Sequence, residues 1–167
     1  MPDLDWMGQV GPALRYTAWT DAADTTLLNV VLPVRVADSA SGLTLHYRGW
    51  LFEPRLSLTH HVGDDMHGYS LEAGVSVLYA DRDYAGYYYS VAPQYATPTR
   101  PAYTAPGGYG GYRISLGWSL HQGDLVYGAF LNYINLDGAS FVTSPLISRR
   151  SDFSAGFAIA WVLQRSD

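Results

Sequence analysis

YRISLGWSL, residues 112–120, has a period of two: Tyr112, Ile114, Leu116, Trp118 and Leu120 share one side, while Arg113, Ser115, Gly117 and Ser119 share the other. Side chains that alternate in this way lie on opposite faces of a β-strand, because successive residues of an extended chain point in opposite directions. The pattern recurs in FSAGFAIAWVL (153–163), with Phe153, Phe157, Ile159, Trp161 and Leu163 against Ser154, Gly156, Ala158 and Ala160. It recurs again in YSLEAGVSVLY (69–79), where Tyr69, Leu71, Val75, Val77 and Tyr79 oppose Ser70, Glu72, Gly74 and Ser76.

Weaker alternation marks residues 8–19, 26–37, 43–60 and 124–136, the last with two less distinct faces. No stretch reads as a helix. The expectation is therefore seven strands of about ten residues or more, where soluble strands average about five or six. That length suits a tilted strand crossing a bilayer, which takes about 9–11 residues. The connections divide by length: TDAAD (20–24), HVGDDMH (61–67) and HQGD (121–124) are short, while 81–110 and 137–151 are long. Outer-membrane barrels pair short periplasmic turns with longer external loops in this manner.

What lies opposite the apolar side decides the class of sheet. A soluble barrel or sandwich, the other reading of an all-β pattern, points its large residues inward and covers its outside with Lys and Glu. Here the second face is Gly, Ser and Ala with isolated Arg or Glu, as in the lumen of a membrane barrel. Tyr69, Tyr79, Tyr112 and Trp118 lie near strand ends, where interfacial aromatic girdles form. The fold class expected is all-β, an antiparallel transmembrane β-barrel of outer-membrane type, with residues 1–167 in a single domain.

Composition supports this and excludes other classes. Charged residues make up 15% of the chain, against about 25% in soluble domains. All ten basic residues are Arg, and the net charge is −5, so no basic patch argues for nucleic acid. There is no Cys, which removes disulfides and thiolate metal sites. No run of 18 apolar residues provides a transmembrane helix. The opening MPDLDWMGQV lacks the basic and apolar regions of a secretory signal, so an exported protein is expected to carry its signal in upstream sequence.

DRDYAGYYYSVAPQYATPTRPAYTAPGGYGGYR (81–113) holds eight of the 14 tyrosines. Pro93, Pro98, Pro101 and Pro106 cannot donate to a ladder, and with the glycines at 107, 108, 110 and 111 they give the segment fixed turn chemistry. The segment reads as an ordered external loop outside the barrel wall, with part of 84–92 able to pair as an eighth strand. Tyrosine offers large contact area at low entropic cost, so Tyr84, Tyr87, Tyr88, Tyr89, Tyr95, Tyr103 and Tyr109 form the candidate contact site. Arg15, Arg35, Arg55, Glu72 and Arg113 fall on the small-residue face and are the candidate lumen lining, either pairing across the interior or edging a pore. HHVGDDMH gathers His60, His61, Asp64, Asp65 and His67, but at no recognised metal spacing; it reads as a polar turn, and no metal or cofactor is expected.

The tyrosine segment through GYRISLGWS, then GAFLNYINLDGASFVTSPLI and the closing FSAGFAIAWVL, resembles the C-terminal half of the MipA/OmpV family of Gram-negative outer-membrane proteins. GWLFEPRLSL and LEAGVSVLYADRDY are similar to its preceding strands. The likeness runs over about residues 45–164, and its most specific part is D-x-x-Y-x-x-Y-Y-Y-S-V-x-P. The resemblance implies a non-enzymatic barrel in the outer membrane, surrounded by lipid, acting as a scaffold that joins murein hydrolases to synthases. A porin-like channel for small solutes is the alternative. Family chains are longer, and seven strands with an external start imply that at least one upstream strand is missing. An outer-membrane enzyme acting on lipid A is a further alternative, but none of His46, His60, His61, His67 or His121 has a Ser two residues on, as the deacylases of that membrane do.

Overall fold

The computed structural model describes residues 5–41, 44–64 and 66–163. Its strands are β1 (Trp6–Val10), β2 (Ala13–Thr20), β3 (Thr26–Ser41), β4 (Thr44–Phe52), β5 (Arg55–Gly63), β6 (His67–Ala80), β7 (Gly108–Gln122), β8 (Leu125–Asn135) and β9 (Ser151–Trp161). They form one sheet in which every neighbouring pair is antiparallel. β1 and β2 lie end to end along β3, and β4 and β5 lie end to end between β3 and β6. The nine strands therefore fill seven lanes, the number expected from the alternation.

Proline causes both interruptions. The break between β1 and β2 falls at Gly11–Pro12, and that between β4 and β5 at Glu53–Pro54. Pro33 of β3 lies between the two breaks, paired with Ala13. A proline nitrogen has no hydrogen to give to a ladder. The neighbouring groups cross the gap instead: Val34 N–H donates to Pro12 O at 3.0 Å, Glu53 N–H to Pro33 O at 3.4 Å and Val77 N–H to Pro54 O at 3.1 Å.

Register makes the two faces continuous over the whole sheet. On one face Tyr16, Val30, Leu56, Val75, Ile114, Tyr133 and Phe153 follow one another across the lanes. The next row on that face holds Leu58, Ala73, Leu116, Leu131 and Ala155. This face is exposed: Leu116 and Trp118 alternate with less accessible neighbours in β7, and Leu14, Phe157 and Trp161 are exposed in the outer lanes, where residues of both faces are accessible. On the other face Ser57 and Ser76 are buried, at 7% and 6%. Large apolar groups on the accessible face and small polar ones on the face that carries the buried serines reverse the order of a water-soluble core. β8 blurs the pattern because Phe130 lies on the polar face, where its cross-strand partners Gly117 and Gly156 leave room for the ring.

Three short turns occupy one end of the sheet, after β2, β5 and β7. Asp21 Oδ1 accepts from the N–H of Thr25 at 2.7 Å and of Thr26 at 2.9 Å. Asp64 Oδ1 accepts from Met66 N–H at 2.8 Å and His67 N–H at 2.7 Å. These bonds, the one from Thr26 first for Asp21 and the one from His67 first for Asp64, hold both carboxyls below the usual carboxylate range. The long connections after β6 and β8 lie at the opposite end.

The first long connection corrects the sequence reading. Residues 84–92 do not add an eighth strand; Arg82–Tyr89 form helix α1, and only Val91 makes an isolated bridge, to Tyr103. Asp81 caps α1 by accepting from Tyr84 N–H at 2.9 Å. The segment also packs over the polar face, with α1 against the polar-face residues Met7 and Gln9 of β1, and does not stand clear of the wall. Ala85, Ala105, Ala139 and Phe141 bury themselves where the two long connections meet. Among the described residues the outer lanes, β1 with β2 and β9, each pair on one side only.

Candidate functional site

The tyrosines that the sequence singled out separate into roles. Tyr84, Tyr87, Tyr88 and Tyr89 ride on α1, with ring centroids 5.2 Å apart for both Tyr84–Tyr88 and Tyr87–Tyr88. Three of the hydroxyls turn toward β1 and the residue before it: Tyr87 Oη accepts from Asp5 N–H at 3.0 Å, Tyr84 Oη accepts from Gln9 Nε2 at 3.4 Å, and Tyr88 Oη donates to Met7 Sδ at 2.8 Å. Arg48 of β4 lies 4.5 Å from the centre of the Tyr87 ring, a cation–π contact. Tyr89 stacks on Phe141 at 4.0 Å and 11°, tying one long connection to the other. Burial pushes the Tyr88 hydroxyl up to about 12, helped by Tyr84 and Tyr87 beside it.

The remaining three lie apart from the helix. Tyr103 Oη is 3.2 Å from Thr143 Oγ1, and Tyr109 meets Tyr79 edge-on at 6.0 Å at the start of β7. Tyr95, in the turn Pro93–Tyr95, is exposed.

Below this cap, the polar face gathers charge. Arg35, Arg55, Glu72 and Arg113 come together around a cavity of about 470 Å³ that is also lined by Glu53, Ser76, Ser115 and Asn132. Glu53 was missed from sequence, and it is the centre. Its carboxylate meets Arg35 Nη2 at 3.2 Å and Arg113 Nη1 at 2.9 Å, and accepts from Ser76 Oγ at 2.9 Å. The signal was available: Glu53 precedes Arg55 by two residues, so period two carried across Pro54 places both on one face. Arg55 bonds Glu72, and it donates to Ser115 Oγ at 3.2 Å. Arg15 stands apart, opposite Val31 on β2.

One chain of hydrogen bonds joins cap and network. Gln9 Nε2 donates to Tyr84 Oη while Gln9 Oε1 accepts from Arg35 Nη1 at 3.1 Å, and Arg35 continues to Glu53. The histidine-rich turn makes no comparable assembly. His60 bonds Thr26 Oγ1 through Nδ1 at 2.9 Å, His61 Nε2 lies 3.1 Å from Gly63 O, and Asp64 is occupied by the turn's own N–H groups. Asp65 lies outside the described residues.

No curated protein and no solved structure matches the chain. A protein family does, the one described as MltA-interacting protein MipA, and the match begins at residue 1, so it takes in β1 to β3 as well as the strands from β4 onward. With residues 1–163 matched, on an all-β sheet that is apolar on one face and charged on the other, the chain belongs to the MipA family.

Proposed function

We propose that this sheet is the wall of an outer-membrane β-barrel and that the protein acts without catalysis, as an envelope scaffold for murein-remodelling enzymes. The observation that carries the membrane placement is the exposed apolar face, unbroken from Tyr16 to Phe153 across seven lanes. Soluble monomers rarely expose contiguous apolar patches beyond a few hundred Å², whereas lipid covers such a face at no cost. The scaffold role draws on the family's description as an MltA-interacting protein. Murein enzymes work on the periplasmic side, so the partner surface proposed is the end formed by the short turns after β2, β5 and β7.

The test has two parts. The folded protein should require detergent and migrate differently on gels when left unheated; a soluble monomer overturns the membrane placement. Folded protein immobilised by its long-connection end should capture a murein hydrolase from envelope extracts, and capture should fall when the turn Asp21–Thr25 is replaced. A second reading, a porin-like channel, is favoured by the charged cavity around Glu53. It requires conductance in planar bilayers whose ion selectivity shifts in Arg113→Gln, since charged linings set selectivity.

A further inference from the structure

We infer that the polar-face cavity is a binding site for the phosphate group of a small soluble ligand. Arg35 of β3, Arg55 of β5 and Arg113 of β7 line it together with Glu53 and Glu72, so three guanidiniums face two carboxylates. The excess of positive charge favours an anion, and the shortage of acceptors favours one with several oxygens.

Both oxygens of Glu53 are occupied, Oε2 by Arg35 and Oε1 by Arg113 and Ser76. Arg55 reaches Glu72 and Ser115 through the same atom, Nη2. Its Nε has no acceptor among the described residues but is packed over Gly74 and closed to the cavity, so Nη1 and Nη2 are the donors that a ligand can meet. A guanidinium carries five N–H donors and no acceptor, so most donors of the three arginines have no partner among the described residues. What the cavity lacks is an acceptor with several oxygens. Three planar forks arriving from three strands offer more donors than the two oxygens of a carboxylate can take up, and a phosphate with its larger set of acceptor oxygens suits them better.

The fold prepares this arrangement. Gly74 lies beneath Arg55: a Cβ there would come within 2.9 Å of Arg55 Nε and of Ser115 Oγ. Gly117 and Phe130 complete the wall, with Asn132 as a further polar group. The cavity opens on the polar face, away from the apolar surface, which selects a soluble phosphate compound over a lipid. The site is built by β3 to β8 and rests neither on closure of the sheet nor on the scaffold role.

Titration calorimetry with inorganic phosphate, on protein folded in detergent at fixed ionic strength, tests it. Saturable binding at one site is expected. Arg55→Gln should weaken it by about tenfold or more, the loss of one charged hydrogen-bonding group. Glu72→Gln, which removes the competing carboxylate and keeps the shape, should tighten it. Arg150→Gln alters an arginine of the second long connection that pairs with Asp137, and should leave binding unchanged. Absence of saturable binding to the wild-type protein overturns the site, as does an equal loss in Arg55→Gln and Arg150→Gln. Glu72→Gln keeps the test informative if Arg55→Gln does not fold: unchanged or weaker binding in that variant also counts against the site. A missing hydrolase partner would end the scaffold role without touching this result.

Discussion

Glu53 gathers more of the polar face than any other side chain described, since its carboxylate joins β3, β6 and β7 through Arg35, Ser76 and Arg113. It is 11% exposed, while Arg35 and Arg113 remain 33% and 45% exposed. Removing the charge leaves two guanidiniums facing each other but still hydrated, so the cost is that of charged hydrogen bonds near solvent and not of a sealed ion pair. Glu53→Gln should lower unfolding stability in detergent by about 1–2 kcal/mol, with Ser76→Ala costing less. Denaturant titration of the two variants checks the order. Tyr88 gives a second prediction at this scale, and its sign follows from linkage. An unfolded tyrosine ionises near 10.0, whereas folded Tyr88 holds its proton to about 12. Between these values the folded state binds more protons, so this contribution is fully present below about pH 10 and is lost as pH rises toward 12. Tyrosinate absorbance should show a late-ionising fraction, to which partly buried Tyr84 and Tyr89 also contribute, that shrinks by one group in Tyr88→Phe, while a Tyr88 that titrates with the exposed tyrosines would contradict the packing.

Among the elements, α1 is where sequence reasoning failed, and the cause is physical. Tyrosine and glycine are poor helix formers, and a tyrosine run suits a strand, so YAGYYY carries no local helical signal. Tertiary contacts supply it: Ala85 is buried, Tyr89 stacks on Phe141, and Arg48 covers Tyr87. One helical signal was readable, Asp81 as N-cap. Gly49 reinforces it from β4; its φ of 112° suits glycine, and a Cβ there would run into Asp81 and Tyr84. Asp81→Ala should cost about 1 kcal/mol and expose the α1 backbone. Hydrogen exchange should speed up in 82–90 and leave β7 and β8 protected; uniform exchange across the chain would mean that cap and sheet unfold as one unit. The strands were legible because period two needs no partner to be recognised. The breaks at Pro12 and Pro54 were not, since the alternation on either side of each proline hides them.

At the scale of the whole molecule, the site was legible only in part. Arg35, Arg55, Glu72 and Arg113 share a face by parity alone, but register decides which of them meet, and register is set by pairings such as Ser76 with Arg113 and Arg55 with Ser76. Parity says nothing of which end of the sheet faces outward. The asymmetry of the connections does, if short turns lie in the periplasm and long connections outside. The chain contains no Cys, so single introduced thiols report the orientation without background. Ala23 lies exposed in the first short turn, and Gln94 lies exposed in the turn beside Tyr95. Among the described residues neither makes a side-chain hydrogen bond or ion pair that a thiol would remove, so folding should survive both changes. In intact cells an impermeant maleimide should label Gln94→Cys at once, and Ala23→Cys only after the outer membrane is opened. The reverse pattern would invert the topology, place the tyrosine cap in the periplasm, and move the surface offered to murein enzymes from the short turns to α1 and Tyr95. Equal labelling of both in intact cells would mean that the sheet does not span the membrane, because a wall of seven long strands holds its two ends on opposite sides.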